Sequence, residues 1–325
     1  MERFEYANPT TVKDATELLG ATWADAQVLA GGTDLISLMK DYVVSPKRVV
    51  NIKGIAELGK ITPGTAGTQI GATVSLDDLT SNRAVRAAYP SLVTAALGIT
   101  SPQIRNMGTV GGDLCQRPRC WYFRQGYGLL AMKDGKSLVP NGENLYHAIF
   151  GGGPAYFVSP SSLGPALIAL GAQIKISSPT ATRTVGADKF FVNPQSADMR
   201  EVDLKPNEIV TAIVIPPGVT KNATYEVRQK EALDWPLATA SVALKMTGTK
   251  IASARVVLGH VAPTPWVAAG AEKWLAGKSI DEATAEAAGA AAVEGAKPLS
   301  QNEYKVQLAK VAVKRALLAA AGKAV

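Results

Sequence analysis

Apolar and small residues recur at helical spacing from Thr11 to Leu19 and stop at Gly20, a residue type that ends helices. The run Ala26 to Ala30 is too short for a helix and predicts a strand, broken by Gly31-Gly32-Thr33-Asp34. From Leu35 the helical period returns with Ile36, Leu38 and Met39. The unit is therefore strand, glycine turn and helix, an arrangement that leaves backbone amides free at the start of the helix.

Similar runs continue along the chain. Arg48 to Ile52 and Thr68 to Ala72 predict strands, Leu76-Asp77-Asp78-Leu79 opens a helix, and Pro90 to Leu97 is a further apolar segment. A second glycine-rich turn ends in Met107-Gly108-Thr109-Val110-Gly111-Gly112-Asp113-Leu114. From Cys115 to about Pro154 the pattern loses its period and becomes aromatic, basic and glycine-rich, as in a long loop or insertion. Leu163 to Leu170 predicts a helix, and Gln173 to Ser177 and Ile209 to Ile215 predict strands ahead of the linker Pro216-Pro217-Gly218. Beyond it come three strands, Ala223 to Arg228, Ala238 to Thr247 and Ile251 to Val261, with Gly248-Thr249-Lys250 turning the last hairpin. The rest is alanine-rich and helical: Trp266 to Leu275, Asp281 to Val293 and Glu303 to Ala320.

Composition narrows the class. The 325 residues are 47% hydrophobic and 19% charged, as in globular material of about two domains. No stretch approaches the ~18 apolar residues that span a bilayer, and Met-Glu-Arg-Phe-Glu, acidic and without an apolar run, does not read as a secretory signal. The expected location is the cytoplasm, or the periplasm alongside an exported partner. The formal charge of +7 is dispersed, and its densest cluster, Arg117, Arg119 and Arg124 around Cys120, reads as a solvated or partner-facing surface. Cys115, Cys120, His147 and His260 match no zinc spacing, and neither histidine neighbours a nucleophile pattern. Arg105 suits a phosphate, a partner carboxylate or a loop salt bridge.

The two glycine pairs carry the remaining chemistry. Adjacent glycines let consecutive amides face one concavity and let a phosphate approach the backbone. Neither pair fits G-x-G-x-x-G or the P-loop, so on residues alone the chain is a two-domain protein with two candidate anion nests.

Leu29-Ala30-Gly31-Gly32-Thr33-Asp34-Leu35 together with Gln103-Ile104-Arg105-Asn106-Met107-Gly108-Thr109-Val110-Gly111-Gly112-Asp113-Leu114 resembles the FAD-binding medium subunit of the xanthine dehydrogenase, aldehyde oxidoreductase and carbon monoxide dehydrogenase family. Gly71-Ala72-Thr73-Val74, Ser159-Pro160-Ser161-Ser162 and Arg255 to Trp266 follow in that family's order. The resemblance implies an α+β chain: a two-lobed FAD-binding domain of the vanillyl-alcohol-oxidase type over 1–218, with lobes of about 1–60 and 61–218 and an insertion of about 115–154. A small C-terminal domain over 221–325, with a three-stranded sheet backed by helices, completes it.

Carried over position by position, FAD contacts fall to Leu29, Ala30, Gly31, Gly32, Thr33, Asp34 and Leu35 around the diphosphate, and to Thr109, Gly111, Gly112 and Asp113 on a second wall. Ser161, Ser162, Val210 and Arg228 complete the set, with Ser162 standing where many members have Asp. No residue is expected to be catalytic. Branches of the family hold a [4Fe-4S] cluster in the insertion by four cysteines. Here Arg119-Cys120-Trp121-Tyr122-Phe123-Arg124 survives, but Leu129, Leu138 and Ala155 fill other cysteine places, so no such cluster is expected.

The implied function is electron transfer through FAD within a molybdenum hydroxylase complex. Its implied partners are a molybdenum-cofactor large subunit and a small [2Fe-2S] subunit, with no nucleic acid and no membrane insertion. No motif names the acceptor, for which NAD, a quinone, a cytochrome or oxygen are the candidates. Rival readings are a flavin-free assembly or binding protein and a self-sufficient flavin oxidase. The short, alanine-rich region after Lys221 speaks against the oxidase.

Overall fold

In the computed structural model, residues 1–218, 220–230 and 233–325 are described. The first lobe runs β1 (Glu5–Ala7), α1 (Val12–Glu17), β2 (Ala26–Leu29), α2 (Leu35–Lys40) and β3 (Arg48–Asn51). Its strands are parallel in the order β1-β3-β2, so the chain must cross over between them, and the two helices fill the crossovers. Thr11 caps α1 by accepting from the Asp14 amide at 3.1 Å. Ala15, Val50, Ile52 and Ile55 form the lobe's core, which also takes in Ile209 from the second lobe.

The second lobe begins with β4 (Ile61–Gly64) and β5 (Gly67–Gly71), followed by α3 (Leu76–Ser81), α4 (Arg83–Ala88), α5 (Pro90–Leu97), α6 (Pro102–Met107) and α7 (Val110–Cys115). Ser75, Asn82, Ser101 and Thr109 each cap the helix that follows them through a side-chain oxygen. After the small hairpin β6 (Met132–Lys133) and β7 (Lys136–Ser137) come α8 (Leu163–Ala169), β8 (Gln173–Ser177), β9 (Thr182–Gly186), α9 (Ala187–Phe190) and β10 (Ile209–Ile215). The antiparallel sheet has the order β4-β5-β10-β8-β9. Its central strand β10 reads Ile-Val-Thr-Ala-Ile-Val-Ile, the near-continuous apolar run of a strand covered on both faces.

The C-terminal domain is an antiparallel meander of β11 (Lys221–Val227), β12 (Ala238–Thr247), β13 (Lys250–Gly259) and β14 (Trp266–Val267), backed by α10 (Ala269–Leu275), α11 (Glu282–Ala292) and α12 (Tyr304–Ala320). The expected three-stranded sheet thus gains a short fourth strand, because Trp266 and Val267 pair with Leu258 and Val257 before α10 starts. Ala309, Ala312, Val313, Ala316 and Leu317 of α12 share a buried core with Ala240, Val242 and Leu244 of β12. Each fully buried Leu or Val there contributes about 1.5–3 kcal/mol, and the alanines let helix and sheet approach closely.

The irregular stretch 115–154 is packed rather than free. Phe123, Leu129 and Leu130 join Leu38, Ala155 and Phe157 in a separate apolar cluster, with Cys120 at its edge. Further along, Asn144 donates to Ser300 Oγ at 3.0 Å and accepts from the Gln301 amide at 3.0 Å. The stretch therefore ties the first lobe to the C-terminal domain.

Candidate functional site

Where β2 ends at Leu29, the chain enters a turn that only small residues permit. Gly32 has φ +73, and a Cβ on Gly31 would lie 1.9 Å from the Met107 carbonyl oxygen. Helical hydrogen bonding begins with the Ile36 amide, which donates to Gly32 O at 3.1 Å. The amides of Gly31, Gly32, Thr33, Asp34 and Leu35 have no acceptor among the described residues. Such a run of free donors is a concavity for an anion.

Asp34 opens α2 but does not cap it. Its carboxylate instead accepts from the Arg117 amide at 2.7 Å and from Arg124 at 2.8 Å, and it pairs with Arg119 at 3.0 Å. The turn's own amides stay free as a result. The basic cluster read in the sequence as a solvated or partner-facing surface therefore points inward: Arg117 and Arg124 are only 13% and 16% exposed. What the composition could not show is that a single acidic residue, Asp34, collects the Arg119 and Arg124 side chains while the Arg117 guanidinium turns to Glu201.

The second glycine turn is built differently. The Val110 amide donates to Val74 O at 2.9 Å and the Gly111 amide to Ala72 O at 2.8 Å, while Gly112 donates to Thr109 Oγ1 at 3.1 Å. These amides are occupied, so this turn is a wall and not a second open nest. Gly111 has to lack a side chain because a Cβ would lie 2.8 Å from Ala72 Cβ. The two turns nevertheless meet. Gly108 Cα lies 3.0 Å from the place a Gly31 Cβ would take, and one cleft is lined by Ala30 to Leu35, Thr109, Gly111 and Gly112, with Val210 of β10 on its margin.

Other residues from the sequence reading lie elsewhere. Asp113 is buried, and its carboxylate accepts from Ser161 Oγ at 2.7 Å, Ser162 N at 3.1 Å, Leu163 N at 3.0 Å and Gln116 at 2.9 Å. It braces the start of α8 from behind the cleft. Burial pushes its carboxyl above the usual range against these four donors. The Ser161 hydroxyl and the Ser162 backbone amide belong to that brace, both donating to Asp113. Leu29 ends β2 with its side chain beside Gly32. Arg228 sits on the Gly98 carbonyl and the Glu226 carboxylate, away from the glycine turn. Arg105 donates to Ile99 O at 2.7 Å, inside its own loop.

The sequence reading missed three groups that line the cleft, Trp23, Arg117 and Arg200. Arg117 pairs with buried Glu201, and Arg200 approaches the same carboxylate at 3.5 Å while stacking 4.1 Å over the Trp23 ring. Burial lowers Arg200 to about 10, with Glu201 opposing and Arg117 assisting. Two guanidinium groups against one carboxylate leave this wall positive. Burial also pushes the Cys115 thiol up to about 12, so it is no nucleophile at neutral pH. Among the described residues no three His, Cys, Asp or Glu side chains are placed to share a metal ion.

A parallel strand-turn-helix lobe that offers free amides to a cleft shared with an antiparallel lobe defines a nucleotide-binding protein. Residues 2–218 match the family model described as FAD binding domain in molybdopterin dehydrogenase, and residues 223–320 match the CO dehydrogenase flavoprotein C-terminal domain. The chain belongs to that family of molybdopterin dehydrogenase flavoproteins.

It is 31% identical to the carbon monoxide dehydrogenase medium chain of Hydrogenophaga pseudoflava, across 98% of this chain and 97% of that one. It is 30% identical to the aldehyde oxidoreductase FAD-binding subunit of Escherichia coli (strain K12), across 95% and 96%. Among solved structures, quinoline 2-oxidoreductase from Pseudomonas putida 86 superposes with a TM-score of 0.77 at 25% identity, covering 99% of this chain and 98% of that chain. The cleft suits FAD on its own geometry: unpaired amides and a positive wall fit a diphosphate, and Gly31 leaves no room for a side chain between the turns. No helix among the described residues is long and apolar enough to cross a membrane.

Proposed function

We propose that this chain is the FAD-carrying electron-transfer subunit of a molybdenum hydroxylase complex, receiving electrons from the [2Fe-2S] clusters of a small subunit while a molybdenum-cofactor large subunit oxidises the substrate. The observation that carries this reading is the run of unpaired amides from Gly31 to Leu35. Those amides would hold the diphosphate, with Arg117 and Arg200 as counter-charge. The Thr109 hydroxyl, which already accepts from Gly112, keeps its proton to donate to the nucleotide. Gly111, Gly112 and Val210 would supply walls, and Asp113 with Ser161 and Ser162 would fix α8 behind them. Bound FAD supplies the ability to take electrons singly and release them in pairs, so this chain's residues need only bind, orient and shield.

The domain limits that go with this reading are 1–218 for the FAD-binding unit and 221–325 for the C-terminal unit, the latter following the linker Pro216-Pro217-Gly218. Cytoplasmic placement suits Cys115 and Cys120, which are both free thiols. The test is the visible spectrum of the purified chain, together with its reduction when the two partner subunits and substrate are added. One flavin per chain, bleached by the complete complex, is expected. A colourless chain that takes up no FAD would favour the flavin-free assembly role.

A further inference from the structure

The connection between β11 and β12 leaves the C-terminal domain and reaches toward both glycine turns of the FAD-binding unit. Arg228 sits on the Gly98 carbonyl just beyond α5, and the Leu233 amide donates to Thr100 Oγ1 at 2.6 Å. From Thr100 the chain runs through α6 to Met107, whose carbonyl lies against Gly31. Further along the same connection, the Arg119 guanidinium carbon stands 4.8 Å over the centroid of the Trp235 ring. Trp235 is 44% exposed, so core packing does not account for its place against that guanidinium.

Arg119 carries the contact on to the first turn. Its Nη1 pairs with Asp34 Oδ1 at 3.0 Å and its Nη2 donates to Gln116 Oε1 at 3.1 Å, while the flat of the group faces Trp235. The Nε is buried and has no hydrogen-bond partner among the described residues, so the ends and the face of the group hold it in place. Asp34 occupies the N-cap position of α2, where a carboxylate ordinarily turns back onto the first amides of its own helix. In that orientation it would set a negative charge beside the amides of Gly31 to Leu35, the donors assigned to the diphosphate. Here Arg119 and Arg124 on Oδ1 and the Arg117 amide on Oδ2 draw it the other way.

We infer that Arg119 is a positioning residue for the cofactor, acting through Asp34 on the diphosphate turn, and that Trp235 of the C-terminal domain fixes its direction. The inference rests on FAD binding at the Gly31 to Leu35 amides. A planar guanidinium keeps contacts in its plane and on its face at the same time, and an aromatic face attracts a cation where an aliphatic side chain does not. With Trp235 in place, Arg119 stays on the carboxylate and the carboxylate stays off the amides. Without the ring, Arg119 loses one of the contacts that orient it, and Asp34 turns more often toward the donors it has to leave open. The coupling runs in both directions. A diphosphate on the amides repels the Asp34 carboxylate toward Arg119 and so tightens the contact with Trp235.

The test is fluorescence titration of FAD with the full-length apo chain, comparing the parent with Trp235→Leu, Trp235→Phe and Arg119→Gln. Hydrogen exchange at the amides of Leu233, Trp235 and Leu237 is followed on the same proteins with and without FAD. Trp235→Leu keeps apolar bulk but removes the aromatic face, and should raise the FAD dissociation constant about threefold, with Trp235→Phe restoring most of the affinity. Arg119→Gln should raise it about fivefold, and Trp235→Leu added to that variant should change nothing further. FAD should slow exchange at the three amides in the parent and not in Arg119→Gln. The ring variants lie at the surface, so they decide the matter if Arg119→Gln fails to fold. Each of four results would overturn the assignment: Trp235→Leu binding FAD as the parent does, the Leu and Phe variants weakening it equally, the effects of Trp235→Leu and Arg119→Gln adding, or FAD leaving those amides unaltered in the parent. A parent chain that takes up no FAD would instead sink the flavin reading together with this one.

Discussion

Gly31 decides how close the two turns come. Its missing side chain lets the Met107 carbonyl approach, and that carbonyl is backbone that cannot swing aside. Gly31→Ala should therefore overpack the junction, cost about 1–3 kcal/mol in urea unfolding, and yield protein with little flavin absorbance. Asp34 acts by a different route. Asp34→Asn keeps the size but leaves Arg119 and Arg124 facing each other without a counter-charge. Because these side chains are partly exposed, the expected loss is about 1–2 kcal/mol after allowance for solvent screening. The FAD dissociation constant should rise at least several-fold, as measured by flavin fluorescence; an unchanged constant would mean that the arginine clamp does not shape the turn.

At this scale the sequence displays the glycine pairs plainly, since few other residues tolerate such turns. It does not display which amides are free. Gly111 is satisfied by Ala72 and Val110 by Val74, partners 39 and 36 positions away that no local pattern announces.

The elements with strong periodicity are legible. Gln173–Ser177, Ile209–Ile215 and Ala238–Thr247 stand as strands over the spans their apolar runs suggest. The edge strands β4 and β9 have no such signal, because Ile61-Thr62-Pro63-Gly64 and Thr182-Arg183-Thr184-Val185-Gly186 are polar and largely solvent-facing. The 115–154 stretch is the other gap. Its order comes from side chains that anchor it to α2 and to the segment before α12, and such anchoring leaves no period.

Lys305, inside α12, also anchors the stretch by donating to the Tyr146 and His147 carbonyls at 3.2 Å, and it makes the junction sensitive to pH. Burial lowers it from its ordinary 10.5 to about 7. Between those values the unfolded chain binds more protons than the folded one, so stability should rise with pH across that window. Lys305→Met lacks the titration, so its urea midpoint should rise less than that of the parent between pH 7 and pH 10.5. Parallel curves would show that the ammonium is not penalised in the fold.

Across the whole molecule, the cleft joins two lobes that share Ile209 in one core, so filling it should stabilise them together. Free FAD at a hundred times its dissociation constant should add about 2.7 kcal/mol to unfolding of the 1–218 unit. That would be read as a shift in the denaturation midpoint that grows with ligand concentration. The family and the two-part architecture were readable from the glycine turns and the Pro-Pro-Gly linker. The arginine-lined wall was not, because it is assembled from segments far apart in the chain.

The most direct measurement is a high-resolution crystal structure of the FAD-loaded chain, with distances taken from the diphosphate oxygens to the main-chain nitrogens of the first glycine turn. At least two of the amides between Gly31 and Leu35 should lie within about 3.2 Å of phosphate oxygen. A diphosphate lodged elsewhere, with those nitrogens meeting only solvent, would contradict the account.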